Sequence, residues 1–264
     1  MRFIPDWLIY LGIVLAMVVY ANWGKPTIMP APPLPDLGPL LPSERPNDER
    51  ILVQIDAPQS GIGTAFASTD TGEWVTARHV VDGCKTIGIK VTARQLLRID
   101  ETEIFENSDL ARLSSSWTRT PLPTDLDTTR TVGETGYFFG YPQGKPGEVV
   151  ASLLSRGRMQ VRGRYSTDES VLIWSELSRS RGLLGSLGGI SGGPVLDKDG
   201  ELIGLVAAET PRRGRIYTVS PDNLRRLIAP TKTTAVPLDL KTYALQADRL
   251  RRDRRIAQVV CLNE

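Results

Sequence analysis

From Ile51 onward, apolar positions come in short bursts closed by turn residues. The runs cover residues 51–55, 62–67, 74–76, 87–91, 99–105, 110–113, 137–139, 149–154, 171–174, 195–196, 202–208 and 216–219. Runs this short, rich in Val, Ile, Leu and aromatics and separated by Gly, Pro, Asn and Asp, predict strands. A dozen of them predict an all-β barrel or sandwich. Helical signals are confined to two places. Ser220-Pro221-Asp222 offers a cap, a proline at the first helical position and an acid in the first turn, ahead of Leu224, Leu227 and Ile228. That helix is expected to close the domain near Ala229, and a looser one is expected over residues 238–259.

The amino-terminal texture is different. Trp7 to Trp23 carries no charge, and Trp7, Tyr10, Tyr20 and Trp23 lie near its ends, where amphipathic rings favour a membrane interface. Residues 1–23 therefore read as a transmembrane anchor, at the short limit for a spanning helix, with the rest of the chain outside the cytoplasm, on the periplasmic side. Val19-Tyr20-Ala21 keeps a second reading open, a signal segment cleaved to release a secreted protein. Residues 24–48 hold eight prolines and no apolar period, as in a semi-rigid spacer.

Length and composition narrow the picture. The 264 residues hold one domain with a sizeable core plus extensions, and a net charge of +2 describes an ordinary globular protein. No zinc-type Cys/His cluster and no phosphate-cradling loop is present, so neither a metal, a cofactor nor nucleic acid is expected. The Arg-rich run 249–255 is a solvated face or a contact for anionic lipid. Cys84 and Cys261 form one bridge in an oxidising compartment or remain two buried thiols.

One stretch points to chemistry. Gly188-Gly189-Ile190-Ser191-Gly192-Gly193-Pro194 frames a serine with glycines, which take backbone conformations closed to other residues and let a substrate approach main-chain N–H groups. Serine is a weak nucleophile at neutral pH and needs a base held by a third group. The chain has one histidine, His79, directly after the strand-like 74–76. For the orienting acid, Asp109 stands at the edge of an apolar segment, with Asp100 and Asp127 as competitors.

Taken in order, Gly61 to Phe66 (G-x-G-x-A-F), Trp74 to Val81 (W-V-T-A-R-H-V-V), Ser108-Asp109-Leu110-Ala111, Gly140 to Gly144 (G-Y-P-Q-G) and Gly189-Ile190-Ser191-Gly192-Gly193-Pro194-Val195 resemble the chymotrypsin-like serine peptidases. The resemblance covers about residues 50–230 and is nearest to bacterial envelope proteases of the high-temperature-requirement type, without their PDZ module. It implies two perpendicular six-stranded antiparallel barrels, residues 49–130 and 131–230, with 231–264 left as a helical tail. It also implies His79 as general base, Asp109 as its orienter, Ser191 as nucleophile, and the N–H groups of Gly189 and Ser191 as the oxyanion hole. By the same resemblance Ala207, Ala208 and Glu209 line the substrate strand, and Gly185 lies near the base of the first specificity pocket. No acid occupies that base, which favours small or medium apolar side chains.

One departure concerns control. Digestive members of the family carry an aspartate before the serine that pairs with a newly cut amino terminus, and here Ile190 stands there. Regulation is instead expected from the segment 179–185. Two functions follow from the sequence: a membrane-tethered endopeptidase acting on protein or peptide substrates, or a catalytically silent peptide-binding module of the same fold.

Overall fold

The computed structural model describes residues 6–22, 33–92, 94–231 and 233–263, and the chain divides into two compact units at residues 31 and 32. Among the described residues, the first unit holds one helix, α1 (Asp6–Asn22). Its 17 residues span about 26 Å at 1.5 Å per residue, short of the ~30 Å hydrocarbon layer. Among the described residues, no helix is long and apolar enough to cross a membrane.

The second unit is mostly sheet. Along the chain come β1 (Glu49–Ile55), β2 (Gly61–Ala67), β3 (Glu73–Thr76), a single turn of helix α2 (Arg78–Val81), β4 (Thr86–Lys90), β5 (Leu96–Arg98), β6 (Glu101–Phe105) and β7 (Leu110–Ser114). Then follow β8 (Thr135–Gly140), β9 (Gly147–Gly163), β10 (Thr167–Arg179), β11 (Pro194–Leu196), β12 (Leu202–Thr210) and β13 (Arg215–Val219). The last elements are α3 (Pro221–Leu224), α4 (Tyr243–Arg252) and β14 (Ile256–Leu262).

These strands form two seven-stranded sheets rather than the two closed six-stranded barrels expected. The first runs β5-β4-β14-β2-β3-β7-β6; the second runs β1-β9-β10-β13-β12-β11-β8, with β8 also bonded to β9. The extra strand in each comes from outside the expected barrel. β1 joins the second sheet, pairing parallel with β9. β14 enters the middle of the first, antiparallel to both β2 and β4.

The carboxy-terminal stretch therefore corrects the expected helical tail. Helix α4 stops at Arg252, and Arg254 takes a left-handed conformation (φ 57°) before the β-branched Ile256, Val259 and Val260 resume an extended chain that fits a pleated, buried surface. Cys261 on β14 is bridged to Cys84, with Cα atoms 5.5 Å apart. The helix expected to end near Ala229 is also shorter than predicted, since α3 covers only four residues. The end of the proline-rich segment is docked: Gly38 N–H donates to Val132 O (2.7 Å), Leu41 N–H to Arg130 O (2.7 Å), and Leu41 is buried.

Burial explains the remaining strand assignments. Tyr137, Phe138 and Phe139 on β8 are all buried, as a strand covered on both faces requires. The largest core cluster draws on both sheets, from Phe66, Trp74 and Leu113 on one side to Val150 and Val219 on the other. A second cluster lies within the second sheet around Phe138, Trp174 and Val195. The Trp174 ring meets Phe138 edge-on (5.4 Å), and its indole N–H donates to Thr218 Oγ1 (2.9 Å).

Candidate active site

β3 ends at Thr76, and α2 turns His79 back toward the strand paired with β3. In that pairing Thr76 stands opposite Ala111, so Asp109, two residues earlier, comes up beside His79. The contact is threefold: Arg78 N–H donates to Asp109 O (3.2 Å), His79 N–H to Oδ1 (2.9 Å), and His79 Nδ1 to Oδ2 (2.8 Å). An ionised carboxylate only accepts, so Nδ1 carries the hydrogen and Nε2 keeps its lone pair. Burial lowers the imidazole's pKa, but the charge of Asp109 and its hydrogen bond outweigh that and raise it above 6.5, against a smaller opposing effect of Arg164.

The competing acids lie elsewhere. Asp127 pairs with Arg225 (2.7 Å), and Asp100 is exposed, its N–H bonded to Ser114 O (3.0 Å).

Asp109 itself is 1 % exposed and held from the opposite sheet. Tyr165, between β9 and β10, donates its hydroxyl to Oδ1 (2.8 Å), and the Arg78 guanidinium covers its ring at 3.8 Å. Glu169 on β10 accepts the Asp109 N–H at Oε1 (2.7 Å), while its other oxygen meets Ser108 Oγ and Asn223 Nδ2 (3.0 Å). Burial and the charge of Asp109 push Glu169 up to about 7, against the hydrogen bonds it accepts.

That shift has a signed consequence for stability. Between about pH 4.5 and 7 the folded chain keeps a proton that the unfolded chain has lost, so stability falls as pH rises through this window. The loss is on the order of 3 kcal/mol at 1.36 kcal/mol per unit, and Glu169→Gln is expected to flatten that part of a denaturant-midpoint profile. An unchanged slope in the variant would remove Glu169 as its source.

On the other side, the Gly-rich turn is tied to β2 through Thr64. Thr64 N–H donates to Ser191 O (2.8 Å), and its hydroxyl donates to Gly189 O (2.8 Å) and accepts Tyr141 N–H (3.0 Å). Its carbonyl accepts the Thr76 hydroxyl (2.7 Å). Gly192 (φ 81°) closes the gap: a Cβ there would stand 2.2 Å from Thr64 O and 2.8 Å from Ala77 N. The turn carrying Ser191 thus lies against the chain that leads into His79. No hydrogen bond joins the Ser191 hydroxyl to the imidazole, and such bonds are often loose before substrate is present.

The oxyanion donors have a visible support. Gly188 O accepts Gln143 N–H (2.6 Å), and since C=O and N–H of one trans peptide point in opposite directions, the Gly189 N–H is turned away from Gln143. Gly189 (φ 99°) has no room for a Cβ, which would meet Tyr141 O at 2.5 Å. Among the described residues neither the Gly189 nor the Ser191 N–H has an acceptor.

Gln143 also braces the neighbouring segment, its amide donating to Leu184 O (2.6 Å) and Ser186 O (2.8 Å). Segment 179–185 is further held by Arg179 Nη1 on Gly185 O (2.7 Å). Glu209 accepts from Ser186 Oγ (2.5 Å) and Leu187 N–H (2.6 Å), so its carboxylate serves the loop beside the serine. Gly185 is exposed and left-handed (φ 73°). Ala207 is buried at a bulge of the β12–β13 register, with Ala208 half-buried beside it. Ile190 is buried in the second core cluster, a packing role that leaves no place for a charged partner.

Asp125, Asp197 and Glu201 come together as a metal would require, but the Arg130 guanidinium sits among them, bonded to Asp125, Glu134 (2.9 Å) and Asp197 (3.4 Å).

Residues 63–205 match the family model of the trypsin-like peptidase domain. The chain belongs to that family. The peptidase domain is also similar to solved structures. An inactive serine-to-alanine mutant of Rv3671c from M. tuberculosis H37Rv superposes with a TM-score of 0.52 at 17 % identity, over 63 % of this chain and 82 % of that one. The active form of the Rv3671c protease from M. tuberculosis gives 0.52 at 15 % identity, over 76 % and 97 %. The HtrA-type protease AlgW with a decapeptide gives 0.50 at 18 % identity, over 62 % of this chain and half of that one. These likenesses are to the fold. No curated protein sequence matches the chain.

Thr64, Gln143, Tyr165 and Glu169 are the residues that sequence reasoning missed. Thr64 and Gln143 lie inside the strings Gly61–Phe66 and Gly140–Gly144, the one signal that could have found them. Tyr165 and Glu169 lie in no such string.

Proposed function

We propose that the chain is a serine endopeptidase working through His79, Asp109 and Ser191. The observation that carries this is the Asp109–His79 pair, held in the tautomer that frees Nε2, on a chain segment whose Ala77 N lies against Gly192 of the glycine-framed turn. In the forward step the Ser191 hydroxyl attacks the scissile carbonyl while Nε2 takes its proton. The tetrahedral oxyanion forms against the Gly189 and Ser191 N–H groups, each donor worth about 3 kcal/mol of barrier. The imidazolium, stabilised by Asp109, then protonates the leaving amine. Water repeats the cycle on the acyl-enzyme with Nε2 again as base. A decapeptide bound to the similar AlgW supports protein or peptide substrates, running along β12 past Ala207 and Ala208.

We place the catalytic unit outside the cytoplasm. Support comes from the Cys84–Cys261 bridge, which persists in oxidising compartments, and from the charge-free run before it. Full-length chain in a non-ionic detergent is expected to be labelled by a fluorophosphonate, and Ser191→Ala to stay unlabelled. Equal silence of both proteins would leave the peptide-binding module as the reading. Carbonate extraction of cells is expected to leave the chain in the membrane pellet, as a tether requires; release into the supernatant would count against the tether alone.

A further inference from the structure

Behind the turn that holds Gly188 lies a second cleft, about 550 Å³, between the end of β4, the 141–146 turn and the junction of α4 with β14. Its walls include Lys90, Tyr141, Gly144, Arg252, Arg254 and Gln258. Arg251 also lines it, but its charge is offset and its two Nη groups are engaged by Glu148, Asp248 (3.1 Å), Gly140 O (3.2 Å) and Gly147 O (2.8 Å). Asp248 is the one acid in the lining, and it is taken up by Arg251. Lys90, Arg252 and Arg254 pair with no carboxylate among the described residues.

A second observation is independent of charge. Gln258 reaches the cleft with its side chain, and among the described residues no hydrogen bond engages its amide. A ligand in the cleft with both donor and acceptor atoms would satisfy it. Three uncompensated cations around such an amide match a peptide carrying carboxylates, its backbone meeting Gln258 and its side chains the cations. The volume exceeds what one small inorganic anion fills.

The cleft reaches the Gly188–Pro194 turn through the 141–146 turn that forms one of its walls. Gln258 stands opposite Thr64 in the β14–β2 pairing. Tyr141 and Gly144 are joined by Gly144 N–H on Tyr141 O (3.0 Å), the carbonyl that abuts Gly189. Between them, Gln143 N–H holds Gly188 O. We propose that this cleft binds an acidic peptide segment and that its occupancy firms the 141–144 turn that aims the Gly189 N–H. The first half stands alone; the second rests on the serine-peptidase reading.

The test uses the full chain in non-ionic detergent and three probes: an N-acetylated tetraglutamate, the matching tetraglutamine and inorganic phosphate. Calorimetry on Ser191→Ala is expected to show tetraglutamate binding that weakens at least about tenfold in Arg252→Glu/Arg254→Glu and in raised salt, with tetraglutamine silent. Near-ultraviolet circular dichroism checks that the variant is folded. Gln258→Leu, which changes no charge, is expected to weaken binding as well. No tetraglutamate binding, binding indifferent to both variants, or displacement by phosphate at equal concentration would overturn the acidic-peptide site. In the parent chain, tetraglutamate is expected to speed fluorophosphonate labelling of Ser191 about fivefold or more, and an unchanged rate overturns the coupling. Calorimetric binding without labelling under any condition would sink the peptidase reading and leave the site standing.

Discussion

Asp109→Asn is expected to lower peptide turnover by about 10⁴-fold, the size such a change has at a serine–histidine–aspartate site, while leaving the chain folded. The reason lies in who donates to whom. Asp109 Oδ1 accepts from His79 N–H and Tyr165 OH, and Oδ2 accepts from His79 Nδ1. An asparagine has only one accepting oxygen, and the fixed His79 N–H, with the Tyr165 hydroxyl beside it, already claims the Oδ1 position. The amide NH₂ then faces Nδ1, which must give up its hydrogen, and the proton moves to Nε2. The base is lost to the wrong tautomer. A second readout separates this from a structural effect. In the parent, activity should climb with pH through an imidazole pKa held above 6.5, because only neutral His79 can take the serine proton. Without the Asp109 charge that limb should move to lower pH. A variant with full turnover, or a limb that stays in place, would show that Asp109 does not orient the base.

Loss of the Cys84–Cys261 bridge is expected to remove up to about 5 kcal/mol of stability, from the chain-entropy cost of the freed loop; the two cysteines are 177 residues apart. The location makes the effect more than entropic. Cys261 belongs to β14, whose residues pair with β2 on one side and β4 on the other, and Cys84 leads into β4. The bridge therefore staples the middle of the sheet that bears His79 and Asp109. Denaturant unfolding of Cys84→Ser/Cys261→Ser beside the parent measures it, and a shift of less than about 1 kcal/mol would assign the bridge no stabilising role.

How much of this was legible in sequence depended on range. Apart from β5 (Leu96–Arg98), which falls between two predicted runs, the strands from β1 to β13 announced themselves through local apolar bursts, because a strand's pattern is written in its own residues. His79, Asp109 and Ser191 were legible for another reason: each sits in a short string whose chemistry is recognisable without knowing its neighbours. Tyr165 and Glu169 were not, since their meaning comes only from meeting Asp109 across two sheets, at separations of 56 and 60 residues. Gln143 looked like one turn residue among several until its N–H was seen on Gly188 O. β14 was hidden by the arginines ahead of it, which continue a helical texture past the left-handed Arg254, where the helix has already ended. The mismatch between six-stranded barrels and seven-stranded sheets has the same origin. β1 and β14 bring partners from positions that no local pattern can assign.

The place of β14 also fixes an order of events. The first sheet cannot be completed from consecutive chain: β2 pairs with a strand nearly two hundred residues later, after every strand of the second sheet has been made. Contacts of that separation slow folding, and until they form, the inner edges of β2 and β4 are bare. Apart from its α1 and docked proline segments, a chain cut at residue 230 would look like a whole peptidase domain by its strings, yet would hold its histidine and aspartate on a sheet with the centre missing. Such a fragment should be prone to edge-to-edge association, and supplying residues 231–264 in trans is the way to repair it.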